Sequence, residues 1–171
     1  LWFEAPSRRA FINITPQVKN PAWRLCFQGP GSGLQLRDGT LVFPAQFKDA
    51  NAHPHSCFIF SQDGGDTWKC SAGVEGAGIP ETTEAQVAEL SDGSILITLR
   101  NHAGTGLRAW SRWAWSGDLA NGAWSPVRYA CEDPVCQASL IRADDHTLVF
   151  ANPASATRRL DFSLRFSLDD G

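Results

Sequence analysis

Residues 61–68 read Ser-Gln-Asp-Gly-Gly-Asp-Thr-Trp, and this S-x-D-x-G-x-T-W pattern decides the fold because it recurs along the chain. A looser copy occupies residues 116–124, with two residues inserted before the glycine, and a third copy begins at Ser167. The first residues of the copies are 116 − 61 = 55 and 167 − 116 = 51 positions apart, and Trp2 lies 68 − 2 = 66 positions before Trp68. A repeat of this length holds about four short strands.

Each copy has the composition of a β-hairpin tip. The Asp side chain accepts hydrogen bonds from backbone N–H groups of its own turn, Gly permits a positive φ, and Trp anchors the turn against the neighbouring sheet. The carboxylates of these copies are therefore interpreted as structural rather than catalytic. The structural set comprises Ser61, Asp63, Gly65, Trp68, Asp118, Trp124 and Asp169.

Segments of strand length fill the intervals between the copies. They alternate with turn signals such as Arg37-Asp38-Gly39, and residues 86–100 are typical of one hairpin that turns at Asp92-Gly93. No segment sustains a 3.6-residue period over three turns, and fifteen Gly with ten Pro would interrupt most helices, so the sequence predicts an all-β fold. The predicted strands cover residues 40–47, 56–61, 86–90, 94–100, 108–116, 147–151 and 161–167.

Three copies at near-regular spacing in a β-rich chain favour a β-propeller over a sandwich. We expect four-stranded antiparallel blades, about three of them here, with residues 1–171 forming part of a single propeller domain that the chain enters and leaves within a blade. A propeller removes its sheet edges by closing into a ring. A three-blade arc therefore needs the remaining blades of a longer chain, or other partners, to cover its ends.

Composition and charge exclude several classes of function. Fifteen Lys and Arg against eighteen Asp and Glu leave a net charge of −3 without a basic cluster, which argues against a nucleic-acid partner or an anionic membrane surface. No apolar run is long enough for a membrane span. The absence of Met and the start at Leu1 are expected for a processed product or an internal piece of a longer chain.

The cysteines do not form a metal-binding pattern. They lack a CxxC pair and a histidine at ligand spacing, so we expect neither a zinc site nor any other metal or cofactor. Buried free thiols are expected, with a Cys131–Cys136 bridge as the alternative in an oxidising compartment. The five cysteines are Cys26, Cys57, Cys70, Cys131 and Cys136.

The repeated copies resemble the Asp boxes of the sialidase (neuraminidase) family, and the segments between them resemble that family as well. Residues 29–34 followed by 38–46 resemble the central segment of bacterial exo-sialidases. Glu84 with residues 85–90 and Arg100-Asn101 resembles the stretch that carries the family's catalytic glutamate and second arginine, and 100 − 84 = 16 matches the family's spacing. The resemblance covers nearly the whole chain.

A further region resembles the approach to the family's third arginine. Residues 136–140, followed by Asn152-Pro153, lead to Arg159. Arg158 and Arg159 are adjacent and point to opposite faces of an extended chain, so only one of them can enter a site. We expect Arg159, rather than Arg158, to be the site residue because it lies six residues after Pro153.

The resemblance implies a six-bladed propeller that removes terminal sialic acid from glycans or glycoproteins with retention of configuration, through a tyrosine nucleophile, in a secreted, periplasmic or cell-surface protein. It makes Glu84 the base that takes the tyrosine's proton. It makes Arg100 and Arg159 two members of an arginine triad that grips the substrate carboxylate. Gln46 and Asn101 are candidate hydrogen-bond partners of the sugar, with a turn-forming role as the alternative.

Three groups required by this chemistry are not expected within the chain. The family's first arginine and its acid/base aspartate lie upstream of residue 29 by more positions than are present, and its tyrosine lies downstream of the third arginine. The only tyrosine, Tyr129, lies between Glu84 and Arg159, which is the wrong order for the nucleophile. We therefore interpret Tyr129 as non-catalytic and expect the isolated chain to be inactive.

A function of another class is open at this point, namely a non-catalytic Asp-box propeller that acts as a carbohydrate-binding or protein-interaction module. The pairing of Glu84 with Arg100 favours the enzyme, since a scaffold needs neither residue. The aromatic run Trp110, Trp113 and Trp115 is interpreted as propeller core rather than as a platform that stacks on sugar.

Overall fold

The computed structural model describes residues 12–75 and 81–171. Trp2, and with it the predicted 66-residue step to Trp68, lies outside the described residues. The described residues form three antiparallel sheets with one short helix, α1 (Thr15–Val18), and one 3-10 turn at Leu119–Asn121, which confirms the all-β prediction. None of the helical structure in this part of the chain has the length and apolarity needed to cross a membrane.

The first sheet contains the strands β1 (Leu25–Gln28), β2 (Leu34–Gln35), β3 (Leu41–Lys48), β4 (Pro54–Ser61) and β5 (Lys69–Cys70). Its order is β1–β3–β4–β5, and β2 also pairs with β3. Because β4 pairs with β3 along its whole length, β1 and β2 share the opposite edge of β3. They therefore act as one interrupted inner strand, and the sheet has the four strand positions of a propeller blade.

The second sheet contains β6 (Thr82–Glu89), β7 (Ile95–Asn101), β8 (Leu107–Ala114), β9 (Ala123–Trp124) and β10 (Arg128–Glu132). Its order is β10–β8–β7–β6, and β9 also pairs with β8. The third sheet contains β11 (Ser139–Arg142), β12 (Leu148–Pro153) and β13 (Phe162–Ser167), in that order. The described chain thus forms two blades of four strand positions and three strands of a third, as predicted for part of a β-propeller.

Every strand predicted from the sequence overlaps an observed strand. The predicted hairpin is formed by β6 and β7, with Gly93 at φ 86° and the N–H of Leu90 donating to the carbonyl of Ser94 at 2.8 Å. The predicted strands did not include β1, β2, β5, β9, β10 or β11. These strands are two to five residues long, and pairing with a longer neighbour decides them more than their own composition does.

Two apolar layers hold the three sheets face to face. Between the first two sheets, the Phe58 ring packs edge-on against Trp113 and Trp124, with centroids 5.5 and 5.6 Å away. Between the second and third sheets, Trp110 packs against Phe150 at 4.7 Å. Trp113 is only 1% exposed and Trp115 packs against the same layer, so the aromatic run belongs to the core, as predicted.

The first Asp box closes the turn between β4 and β5. Ser61 Oγ donates to Asp63 Oδ1 at 2.8 Å and accepts from the N–H of Gly65 at 2.8 Å. Asp63 also accepts from the N–H and the hydroxyl of Thr67, at 2.9 and 2.5 Å. These bonds, led by that from the Thr67 hydroxyl, hold the pKa of Asp63 at about 2. The box is a structural turn at the end of the blade.

The third box repeats this arrangement, and the second departs from it. Ser167 Oγ donates to Asp169 Oδ1 at 2.9 Å and accepts from the N–H of Gly171 at 2.6 Å. Asp118 instead accepts from the N–H of Ala120 at 2.9 Å and caps the 3-10 turn. The two residues inserted in the second copy account for that turn.

The tryptophans of the first two boxes anchor different sheets. Trp124 packs against the first sheet, and its Nε1 donates to the carbonyl of Ala72 at 2.8 Å, as expected for a contact with the neighbouring blade. Trp68 packs on Phe43 of its own sheet, with centroids 5.8 Å apart, and donates to Gly65 in its own turn. The expectation of a neighbouring-sheet contact is therefore wrong for Trp68 in the described part of the chain, because β3 presents Phe43 directly to the turn.

Candidate active site

A cleft of about 310 Å³ opens where the ends of the first two sheets meet. The last residues of β3 and β7 and the first residues of β4 and β6 lie at this end because these strands are antiparallel neighbours. The three Asp boxes follow β4, β8 and β13 and lie at the opposite end of the strands. The cleft is lined by Leu25, Phe27, Gln46, Phe47, Lys48, Pro54, Thr83, Glu84, Arg100 and His102.

A β-bulge in β6 determines where the Glu84 side chain points. Thr83 pairs with Arg100 and Ala85 pairs with Leu99, so Glu84 is an extra residue between two ladder positions. Its φ is 26°, which a residue with a side chain rarely adopts. A bulge of this kind redirects a side chain at the end of a sheet. Here it places Glu84 Oε2 2.9 Å from Nη1 of Arg100, with about a quarter of each side chain (25% and 22%) exposed.

Two buried polar atoms at this cleft lack a hydrogen-bond partner among the described residues. They are Nε of Arg100 and Oγ1 of Thr83, and no other buried side-chain nitrogen or oxygen in residues 12–75 and 81–171 shares that condition. An unpaired buried polar group lowers the folding stability by about 1–3 kcal/mol. Such groups are therefore rare in native proteins. The described residues around this cleft therefore leave hydrogen-bonding capacity unused.

The charges and the wall of the cleft suit an anionic ligand with an apolar part. Lys48 and Arg100 contribute two permanent positive charges against the single carboxylate of Glu84. Leu25 and Phe27, which are 40% and 42% exposed, form an apolar wall on the β1 side. The cleft therefore combines guanidinium recognition of an anion with an apolar surface beside it.

Arg108, which the sequence patterns did not single out, lies wholly buried behind Glu84. Its Nη2 donates to the backbone carbonyl of Glu84 at 3.3 Å, and its Nε donates to Thr98 Oγ1 at 2.8 Å. Its Nη1 donates to the carbonyl of Cys136 at 2.5 Å and to Asp133 Oδ2 at 3.4 Å. Burial lowers the pKa of Arg108 to about 10, against which the charge of Asp133 acts, so Arg108 is charged at neutral pH.

The two amide side chains predicted to bind the sugar lie in different surroundings. Gln46 is 8% exposed and lines the cleft. Asn101 is buried, with Nδ2 donating to the carbonyl of Leu107 at 2.8 Å and Oδ1 accepting from the N–H of Ala103 at 3.1 Å. Asn101 therefore shapes the loop after β7, which corresponds to the turn-forming alternative, and its contact with a sugar stays a prediction.

Arg158 and Arg159 are both exposed in the loop between β12 and β13, at the same end of the sheets as the cleft. This loop packs against the loop between β7 and β8, since a Cβ on Gly106 would lie 2.9 Å from that of Ala156. The lining of the cleft in the described chain does not include either arginine. The role predicted for Arg159 stays a prediction.

Tyr129 lies on β10, at the outer edge of the second sheet, where it packs against the apolar layer between the first two blades. Burial raises the pKa of its hydroxyl. It is not among the described residues that line the cleft, and its interpretation as non-catalytic stays a prediction.

The five cysteines are free thiols, but only Cys57 is buried as expected, and the other four are partly exposed. The Sγ atoms of Cys57 and Cys70 lie 3.6 Å apart, which is too far for a disulfide bond. The alternative Cys131–Cys136 disulfide is not formed either. Over residues 12–75 and 81–171, no three His, Cys, Asp or Glu side chains are grouped in a way that could hold a metal ion.

Comparison with known proteins defines the class of protein. Residues 7–171 match the family described as BNR repeat-like domain, and the chain belongs to this family. Two of the relatives that the chain resembles are sialidases. The chain is 40% identical to a sialidase of Bacteroides fragilis over 170 residues, which cover 94% of this chain and 30% of the relative. It is 33% identical to a sialidase of Micromonospora viridifaciens over 179 residues, covering 96% of this chain and 26% of the relative.

Solved structures agree with this assignment. The chain superposes on a Hadza microbial sialidase with a TM-score of 0.81 and 40% identity, covering 94% of this chain and 32% of that one. A Trypanosoma rangeli sialidase in complex with the inhibitor DANA, 21% identical, has the same fold with a TM-score of 0.69, covering 91% of this chain and 27% of that one. The resemblance to sialidases is thus confirmed, and the chain spans about a third or less of the length of these proteins.

Proposed function

We propose that the protein containing this chain is a glycoside hydrolase that removes terminal sialic acid from glycoconjugates. The observation that carries the proposal is the Glu84–Arg100 pair, 2.9 Å apart at the bulge that faces the cleft. It lies in a chain 40% identical to a bacterial sialidase. Binding without chemistry would not require a carboxylate held in a strained backbone position beside a guanidinium.

Arg100 is the group in this chain that receives the substrate's carboxylate. Sialic acid carries a negatively charged carboxylate attached to its anomeric carbon, and a guanidinium binds a carboxylate through two parallel hydrogen bonds. The Nε of Arg100 has no acceptor among the described residues, and its Nη1 is engaged only by Glu84 in the hydrogen-bond and ion-pair contacts of that part of the chain. Arg159, on the adjoining loop of the next blade, is the second fork, and Gln46 faces the sugar's hydroxyl groups.

Glu84 acts as a general base toward a tyrosine nucleophile. A carboxylate nucleophile would be repelled by the substrate's own charge, whereas a neutral tyrosine is not. As the tyrosine oxygen bonds to the anomeric carbon, its proton passes to Glu84, and an aspartic acid protonates the departing oxygen of the aglycone. Water then displaces the tyrosine by the reverse sequence, so configuration is retained. The tyrosine, the aspartate and the first arginine come from the remainder of the protein.

The other blades of the protein complete the site and the ring. The third sheet leaves Phe162 and Phe166 of β13 77% and 66% exposed. Aromatic side chains of this size are normally covered. A following blade of the longer chain would bury them and bring the missing catalytic groups around the cleft.

Turnover of a fluorogenic sialoside by the full-length protein tests the proposal. The wild type should hydrolyse the sialoside and release the same anomer as the substrate, detected by NMR early in the reaction. Glu84→Gln should lower kcat by roughly 10²–10⁴-fold without loss of fold, because it removes proton acceptance and little volume. Binding of sialic acid without turnover by the wild type would favour the non-catalytic module, and an unchanged kcat in Glu84→Gln would remove Glu84 from the mechanism.

A further inference from the structure

We infer that Arg108, with its buried partner Asp133, is a positioning residue that holds the bulged segment of β6 in the shape that aims Glu84 into the cleft. The inference rests on the proposed function of Glu84 and adds residues that do not line the cleft. Arg108 would influence the site only through its hydrogen bond to the backbone of Glu84 and would not touch the substrate.

The bulge needs a brace because it interrupts the β6–β7 ladder. The register passes from Thr83↔Arg100 to Ala85↔Leu99, which leaves Glu84 without a ladder partner. Its positive φ of 26° is strained for a residue with a side chain. Strain of this kind persists only where surrounding contacts hold the backbone in place. The Nη2 of Arg108 provides such a contact, donating to the carbonyl of Glu84 at 3.3 Å.

Arg108 can act as a brace because its own position is fixed. A guanidinium is planar and rigid, so bonds to two of its nitrogens determine where the third points. Nε is held by Thr98 Oγ1 at 2.8 Å on the adjacent strand, and Nη1 by the carbonyl of Cys136 and by Asp133. The third nitrogen, Nη2, is thereby directed at Glu84.

Asp133 is in turn fixed by the third blade. Its Oδ1 accepts from the N–H of Cys136 at 3.0 Å, and its Oδ2 accepts from Nδ2 of Asn152 at 3.4 Å. Asn152, on β12, also donates to the carbonyl of Glu132 at 2.7 Å. A continuous set of buried and partly buried hydrogen bonds therefore connects Asn152 of the third blade to the backbone of Glu84 in the second.

Stability alone is a weak reason for this arrangement. The Arg108 and Asp133 side chains are 0% and 1% exposed, and removing two charges from water costs about as much as their attraction returns. An apolar pair would fill the same space with no penalty of this kind. The feature that an apolar pair would not reproduce is the donor at the carbonyl of Glu84.

The test separates positioning from stability with three variants of the full-length protein. Arg108→Met removes the donor and leaves Asp133 buried without its counter-charge, so both the melting temperature and kcat should fall. Arg108→Met combined with Asp133→Asn removes both charges and should recover most of the lost melting temperature. If Arg108 positions Glu84, kcat stays about 10²-fold low in the double variant while KM remains near the wild-type value. Arg112→Met, an exposed change on the same strand, should leave kcat unchanged.

Recovery of kcat together with the melting temperature in the double variant would overturn the inference and leave the proposed function intact. Should the wild type itself hydrolyse no sialoside, the proposed function fails, and amide hydrogen exchange still tests the brace. Residues 83–86 of the double variant should then exchange faster than in the wild type, with the rest of β6 and β7 unchanged. Equal exchange in this segment would overturn the inference.

Discussion

Glu84 and Glu89 lie on the same strand, 89 − 84 = 5 residues apart, and the structure gives them opposite ends of β6 and different partners. Glu84 faces the cleft and Arg100. Glu89 crosses to the first blade, where Oε2 accepts from the N–H of Arg37 at 2.9 Å and Oε1 from its Nε at 3.1 Å. One strand thus carries the proposed catalytic base at one end and an acid that joins two blades at the other.

Glu89→Gln should weaken the contact between the blades without slowing turnover. Glutamine keeps the shape and loses the charge that holds the half-exposed guanidinium of Arg37, so the free energy of unfolding should fall by about 1 kcal/mol. Denaturant unfolding measures this loss, and sialoside hydrolysis measures kcat. Glu84→Gln is the matched variant and should give the reverse result. A lower kcat at unchanged stability in Glu89→Gln would contradict this division of roles.

The first Asp box should stabilise the protein in a pH-dependent way. Hydrogen bonds, above all from the Thr67 hydroxyl, lower the pKa of Asp63 from 3.8 to about 2. The folded-state pKa lies below the unfolded one, so the stabilisation is complete above pH 4 and is lost as the pH falls towards 2. The wild type should therefore have a higher melting temperature than Asp63→Asn at pH 7. This difference in melting temperature should narrow as the pH falls below 4.

Asp66→Asn is the control for that experiment, because Asp66 makes none of the bonds of the box described above. Its melting temperature should follow that of the wild type at every pH. Neither change should alter kcat, since the box lies at the far end of the strands, roughly 20 Å from the cleft by strand length. If the difference in melting temperature between the wild type and Asp63→Asn persisted unchanged down to pH 2, the charge of the Asp63 carboxylate would not contribute to the stability of the box.

Trp124→Phe should loosen the interface between the first and second blades. The change keeps an aromatic ring against Phe58 and Trp113 but removes the N–H that donates to the carbonyl of Ala72 at 2.8 Å. We expect a loss of about 1 kcal/mol in unfolding free energy and faster amide exchange in residues 71–75. Trp68→Phe, which loses a bond within its own turn, should leave the exchange of that segment unchanged. Equal exchange in both variants would contradict the cross-blade role of Trp124.

The fold could be predicted because its main signals are local. The side-chain hydrogen bonds of Ser61, Asp63 and Trp68 in the first Asp box all fall within residues 61–68, and the long strands carry their own apolar pattern. The inner strand β1 has little such pattern of its own, with a largely exposed four-residue sequence, and forms because β3 offers it an edge. Strands of this kind depend on a partner that the local sequence does not contain.

The Glu84–Arg100 contact could be anticipated because both residues belong to one hairpin. Glu84 lies eight positions before Asp92 and Arg100 seven positions after Gly93, and the bulge absorbs the difference of one residue. Arg108 and Asp133 lie 133 − 108 = 25 residues apart, on β8 and directly after its antiparallel neighbour β10, whose register shifts between Ala130 and Glu132. Their pairing depends on the register of β10 against β8 across a long irregular connection, for which the sequence has no local pattern.

Arg100→Lys should weaken binding of sialic acid in the full-length protein. Lysine keeps the positive charge and loses the planar fork, so one charge-assisted hydrogen bond disappears, worth about 1.5–3 kcal/mol. This corresponds to roughly a 10–100-fold increase in Kd, measured by calorimetric titration. An unchanged Kd would show that Arg100 pairs with Glu84 and does not bind the carboxylate of the substrate.

Arg159→Lys should weaken the same binding, and its coupling to Arg100 tests whether both forks hold one carboxylate. If they do, the Arg100→Lys/Arg159→Lys double variant should lose less binding energy than the sum of the two single losses, because either change already disturbs the shared group. Arg158→Lys is the control on the same exposed loop and should leave Kd unchanged. A loss of binding with Arg158→Lys and none with Arg159→Lys would assign this second fork to Arg158. Exact additivity of the Arg100 and Arg159 losses would mean that the two arginines hold separate parts of the substrate.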